Sequence, residues 1–196
     1  MILRREQANH LSRFTNSLCS PKMPPMNPIL SAGVLIGILC SAWTFILGFT
    51  GLYKNPSANV VFISVAMAIE VVVLTWGLRR TAAEGRAYGG QILAGTMMAI
   101  VAGVIIIASS LLFTTVVFPN YFVDVEQAYR SALESQGKTD AEIAAAIQAN
   151  AASATPMAQA MSGFIGTLVT GIVASAIIGI FVRRRGNAVG LPATER

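Results

Sequence analysis

The sequence predicts an all-α integral membrane protein: a four-helix bundle with an extracytoplasmic helical hairpin between its third and fourth spans. Three observations predict it. Four apolar runs of bilayer length recur along the chain, arginines close two of them, and only 12% of the 196 residues are charged, against about 25% in soluble domains. A chain this poor in charge, with a mean hydropathy of +0.63, has lipid as its solvent.

The first run is uncharged from Met23 to Tyr53, and its core, Ile29 to Thr50, is long enough to cross about 30 Å of hydrocarbon as helix. The polar tail before it, its length and the missing small-x-small cleavage site favour an uncleaved anchor over a secretory signal. The second run, about 59–78, holds a single charge, Glu70, and closes on Trp76, Arg79 and Arg80, an aromatic and basic border expected at a water interface. The third, about 90–118, sits in an uncharged stretch from Ala87 to Val123 that exceeds one bilayer, so this helix tilts or continues into the interface. The fourth, about 160–182, stops at Arg183, Arg184 and Arg185. The chain therefore divides into a tail (1–27), a four-span domain (28–185) and a second tail (186–196).

Lys and Arg are retained on cytoplasmic flanks, so their distribution predicts orientation. The N-terminal tail holds four, the turn after the second span three and the C-terminal tail four, whereas the other two loops hold one and two. Both tails are expected inside, in a cell inner membrane, with Arg79, Arg80 and Arg183 to Arg185 as cytoplasmic anchors. The loop over residues 119–159 is then outside, and it carries five acidic residues against two basic ones. Two helices are readable in it. The first follows Pro119 and Asn120, with Phe122, Val125, Tyr129, Ala132 and Leu133 at helical spacing, a Glu126–Arg130 i,i+4 pair, and Gly137 as its C-terminal cap. The second opens on Thr139 to Glu142 as a capping box. Together they form the hairpin over the outer mouth, and Pro156 begins the return into the membrane.

Burial does not drive helices together in lipid, so close packing through small residues takes over. Three spans carry such stripes: Gly33, Gly37 and Ser41; Gly95, Ala99 and Gly103; and, at strict four-residue spacing, Gly163, Thr167, Gly171, Ser175 and Gly179. Each is read as a contact within the bundle or as a homodimer face. Glu70, about nine residues from Arg79 and so near mid-bilayer, is the one ionisable side chain within a span and is costly there. It is read as a protonated group hydrogen-bonded across helices, to Thr44 or Thr96, or as a proton- or cation-binding site.

Other constellations carry little chemistry. Gly137, Lys138 and Thr139 resemble the end of a phosphate loop, but Ala132 stands where the upstream glycine is required. His10 is the single histidine, so no Ser-His-Asp or Cys-His set assembles, and Cys19 and Cys40 lack metal-type spacing. Asp124 with Glu126, and Asp140 with Glu142, read as solvated helix starts; Met157 and Met161 read as packing rather than as soft metal ligands. No cofactor, no metal and no enzymatic activity is expected. The basic residues bracket the apolar runs instead of forming a basic face, which excludes nucleic acid and leaves the lipid bilayer as the main partner, with a homodimer or another membrane protein as the protein partner. In the N-terminal tail, Leu11, Phe14 and Leu18 beside Arg4, Arg5 and Arg13 suggest an interfacial helix, whereas Met23 and Met26 suggest that the first 22 to 25 residues are a gene-start artefact.

Leu78, Arg79 and Arg80 close the second span; Tyr88, Gly89 and Gly95 open the third; Phe118, Pro119, Asn120, Tyr121 and Phe122 leave it; Gly137 and the arginines at 183–185 follow. In this order, over roughly residues 30–185, the chain resembles a bacterial four-span membrane family catalogued as a domain of unknown function. That resemblance implies the fold and no activity. The functional expectation is a non-enzymatic accessory or scaffold protein; the alternative is a small transporter or proton-coupled component using Glu70.

Overall fold

The computed structural model describes residues 27–55 and 58–182. Four long helices, α1 (Pro28–Thr50), α2 (Ala58–Ala83), α3 (Tyr88–Leu112) and α6 (Pro156–Val182), form the bundle. Two shorter helices, α4 (Tyr121–Ser135) and α5 (Asp140–Asn150), occupy the interval between α3 and α6. The protein is a multi-pass membrane protein: all four long helices have the length and hydropathy to cross a bilayer. Their outward faces are apolar, with Phe181 82% and Phe49 75% exposed, a surface suited to lipid and not to water.

Local chemistry sets the ends. Asn27 caps α1 by accepting from the Ile29 amide, Pro28 stands where no amide partner is needed, and Gly51 ends the helix in the left-handed region at φ 71°. Helix α4 ends the same way, on Gly137 at φ 76°: the Gly137 amide bonds Glu134 O and the Lys138 amide reaches back to Leu133 O. Thr139 and Glu142 then start α5 with a complete capping box, and Lys138 adds an ion pair to Glu142 at 3.3 Å. The Gly137 to Thr139 segment is thus a cap followed by a cap.

Two boundaries differ from the sequence reading. Helix α2 continues to Ala83, past the arginines that close the apolar run, because Thr81 and Ala82 are buried against the bundle while Arg79 and Arg80 stay exposed. Arg80 lies over the Trp76 ring, 4.0 Å from its centroid. Buried Gln91 at the start of α3 meets Thr81, its amide nitrogen donating to Thr81 Oγ1 at 2.8 Å and to Leu78 O at 3.3 Å. The third span also gives up α-helical geometry near its end. Phe113–Val117 is a π-helical turn, closed by Phe118 N donating to Phe113 O, and Pro119 follows without an amide to offer.

Helix α3 is the hub, packing most extensively against α6 and α1, with α2 completing the ring between α1 and α6. Small residues make this possible. Gly33 and Gly37 of α1 receive Val101 and Ile105 of α3, Gly103 of α3 receives Phe164 of α6, and Gly95 of α3 lies against Ser175 of α6. A methyl group at Gly95 would overlap Ser175, whose hydroxyl is already turned to the Gly171 carbonyl of its own helix. Met98, fully buried, fills the centre beside Gly77 and Leu74. Gly95→Val should therefore destabilise the bundle by about 1–3 kcal/mol, the usual cost of overpacking. Gly166→Val, which adds a side chain into open space, should be close to neutral. Unfolding titrations of the two variants in mixed micelles measure the difference, and equal effects would remove the close-packing argument.

Candidate functional site

Two places among the described residues are candidates for a functional site. The first is Glu70 on α2, 5% exposed, whose Oε1 has no hydrogen-bond partner. It faces α6 where Gly171 leaves room: a Cβ built on Gly171 would stand 3.4 Å from Oε1 and would overlap Ala99 of α3. Glu70, Ala99 and Gly171, drawn from three spans, meet at one level. The hydrogen bond expected from Thr44 or Thr96 does not form. Thr44 donates to Cys40 O at 3.0 Å and Thr96 to Ile92 O at 2.9 Å, because a hydroxyl within a helix finds the carbonyl one turn back without crossing any gap.

The other stripe residues lie as follows. Gly163 faces Ile106, Thr167 is half-buried, and Gly179 lies against Tyr88 and Gln91. Ser41 donates to Ser109 Oγ at 2.7 Å, linking α1 to α3. Met157 and Met161 are exposed, Cys40 is a free, half-buried thiol, and Arg183, Arg184, Arg185, His10, Cys19 and the amphipathic tail lie outside the described residues.

The second place is a half-enclosed cavity of about 700 Å³ at the α4 end, bounded by the ends of all four spans together with α4 and α5. It reaches furthest into the bundle at Thr44, Phe62 and Ser110. Helix α4 supplies one wall through Phe122, Val125 and Tyr129, the apolar periodicity read in the sequence, and Glu126 stands on the same wall. The expected Glu126–Arg130 ion pair is not made among the described residues; both side chains are exposed, where such a pair is worth only about 0.2–0.5 kcal/mol. Four side-chain amides, from Asn55, Asn59, Asn150 and Gln159, add to the polar lining. Sequence reasoning missed this site because its walls come from six helices; the polar Asn59 and Gln159 at the starts of two apolar helices were the available signal.

The wall is held in place by a clamp across 71 residues of chain. Tyr53 donates its hydroxyl to Asp124 Oδ2 at 2.6 Å, and Lys54 Nζ stands 3.0 Å from the same oxygen. The Tyr53 ring also packs on Phe118 and Tyr121, at centroid distances of 5.9 and 5.3 Å. The π turn contributes here: five residues close one such turn, so Phe113 and Phe118 come to one side and their rings lie 4.7 Å apart.

A family model described as a protein of unknown function, DUF4199, matches residues 31–184. The chain belongs to this family. The DUF4199 match spans all four membrane helices and the α4–α5 interval, so the buried carboxyl and the cavity both lie within the family region. No curated protein and no solved structure matches the chain.

The clamp has a defined pH window. The Tyr53 hydroxyl and then the Lys54 ammonium hold the Asp124 carboxyl below its ordinary 3.8, while Asp124 holds Lys54 above 10.5. A carboxyl depressed in the folded state contributes its stabilisation above its ordinary value and loses it as pH falls through the depressed one; the raised Lys54 contributes below 10.5 and is lost as pH rises through its raised value. Spin labels on exposed Leu52 and Val123 should therefore give a narrow distance distribution at neutral pH that broadens well below pH 3.8. Asp124→Asn should be broad at both, and a wild-type distribution indifferent to acid would contradict the clamp.

Proposed function

We propose that this protein is a non-enzymatic accessory or scaffold component of a cell inner membrane, presenting the α4–α5 segment outside the cytoplasm as a fixed helical surface. The observation that carries this reading is the Tyr53–Lys54–Asp124 clamp with its aromatic surround, which ties α4 to the end of the bundle. A helix held in one orientation loses little conformational freedom when a partner binds, which favours recognition. The acidic balance of this segment, five carboxylates to two basic residues, suits a partner with a basic face. Photo-crosslinkers at exposed Val123 and Glu134 should capture one discrete membrane partner, and Asp124→Ala should reduce that capture several-fold. Capture that is diffuse, or unchanged by the variant, would count against a scaffold built on this segment.

Glu70 favours a second reading, a small proton-coupled component. Its Oε1 is buried with no hydrogen-bond partner, and an unpaired charge there is expensive, so proton exchange is the chemistry open to it. Glu70→Gln in liposomes separates the two. It should leave partner capture intact, and it should abolish pH-driven flux if the protein carries any; absence of flux under every imposed gradient sinks the transport reading.

Orientation rests on charge, with eleven basic residues on the proposed cytoplasmic flanks and three on the other side. Single cysteines in a Cys19→Ser, Cys40→Ser background report it. A cysteine at exposed Ser135 should react with a membrane-impermeant maleimide in intact cells, and one at exposed Ala83 only after permeabilisation.

A further inference from the structure

We infer that the cavity beneath α4 is a binding site for an amphipathic organic cation, with the apolar body among the aromatic rings and the charged end at Glu126. The volume, about 700 Å³, falls in the range of about 300–1,000 Å³ usual for small-molecule sites, and the cavity is half-enclosed, which leaves a way in. Phe62, Phe113, Tyr121, Phe122 and Tyr129 line it, and aromatic rings attract cations through their π faces. Glu126 is the one charged side chain in the lining. Neither of its nearest basic candidates neutralises it: Lys54 is engaged by Asp124, and Arg130 makes no ion pair with it. The amides of Asn55, Asn59, Asn150 and Gln159 add polar groups without adding charge. An anion would meet a carboxylate and ring faces of like polarity with no cation to receive it, so the lining selects by sign as well as by size. The binding requires no partner protein and no titration of Glu70.

The test compares two ions of nearly the same shape and opposite charge, tetraphenylphosphonium and tetraphenylborate. Equilibrium dialysis uses the full-length chain in an uncharged maltoside detergent, with protein-free micelles at matched concentration subtracted. The expected result is saturable binding of one cation per chain, at least ten-fold tighter than the anion. Glu126→Gln should weaken the cation about ten-fold and narrow the gap between the two ions. Tyr129→Leu should weaken the cation several-fold while Tyr129→Phe retains it, which separates a ring-face contribution from mere filling of space. Melting curves of each variant confirm that the bundle is intact. Equal binding of the two ions, no saturable cation binding, or full cation affinity in Glu126→Gln overturns the assignment.

Discussion

The close approach of α3 to α6 is the contact on which the rest of the molecule depends. In lipid no gain in apolar burial brings two helices together, so they must meet closely enough for dispersion forces to hold them. Gly95 against Ser175, and Ala99 against Gly171, allow this, and the same small residues decide what happens at neighbouring levels. Gly171 leaves the room that Glu70 occupies. Toward the α4 end the small-residue stripe on α3 stops at Gly103, and Ser110, Phe113 and Thr114 line the cavity, with Phe113 also packed on Gly48 of α1. One helix surface thus produces a tight seam in its first half and an open volume in its second.

Much of this architecture was legible in the sequence, because the signals were local. The spans are long uncharged runs, Gly137 and the Thr139–Glu142 box are cap chemistry set by a few adjacent residues, and the apolar face of α4 follows helical spacing. The misreadings share one cause. Arg79 and Arg80 marked the place where polar side chains reach water, but the backbone continues for another turn because Thr81 and Ala82 have partners on the inside. Glu126 and Arg130 have the spacing of a pair, yet on an exposed face nothing compels them to meet. Thr44 and Thr96 were suitable donors for Glu70 by type, and each was already satisfied by its own helix. Only the three-dimensional arrangement says which of two satisfactory partners a polar group takes.

The site was the least legible part. No pair of its residues forms a recognisable motif, and Tyr53 meets Asp124 across 71 positions through a turn and a helix start that look unremarkable separately. The π turn shares that property. Nothing in Phe113–Val117 announces a widened helix, but Pro119 withholds an amide and Phe118 supplies the one that closes the wider ring. The resulting aromatic cluster lies where the third span gives way to α4, which couples the geometry of the cavity wall to the end of a membrane helix.

The clamp also has a consequence for the order in which the chain assembles. Tyr53, Lys54 and Asp124 all precede the last span, and so do the rings around them. During synthesis, the clamp has every residue it needs before the fourth span leaves the ribosome. The seam of α3, by contrast, stays open until Gly171 and Ser175 arrive. A nascent chain of three spans would then hold its clamp while its middle is unfinished, with Glu70 lacking the neighbour that Gly171 provides, so the final helix enters a groove already anchored at one end.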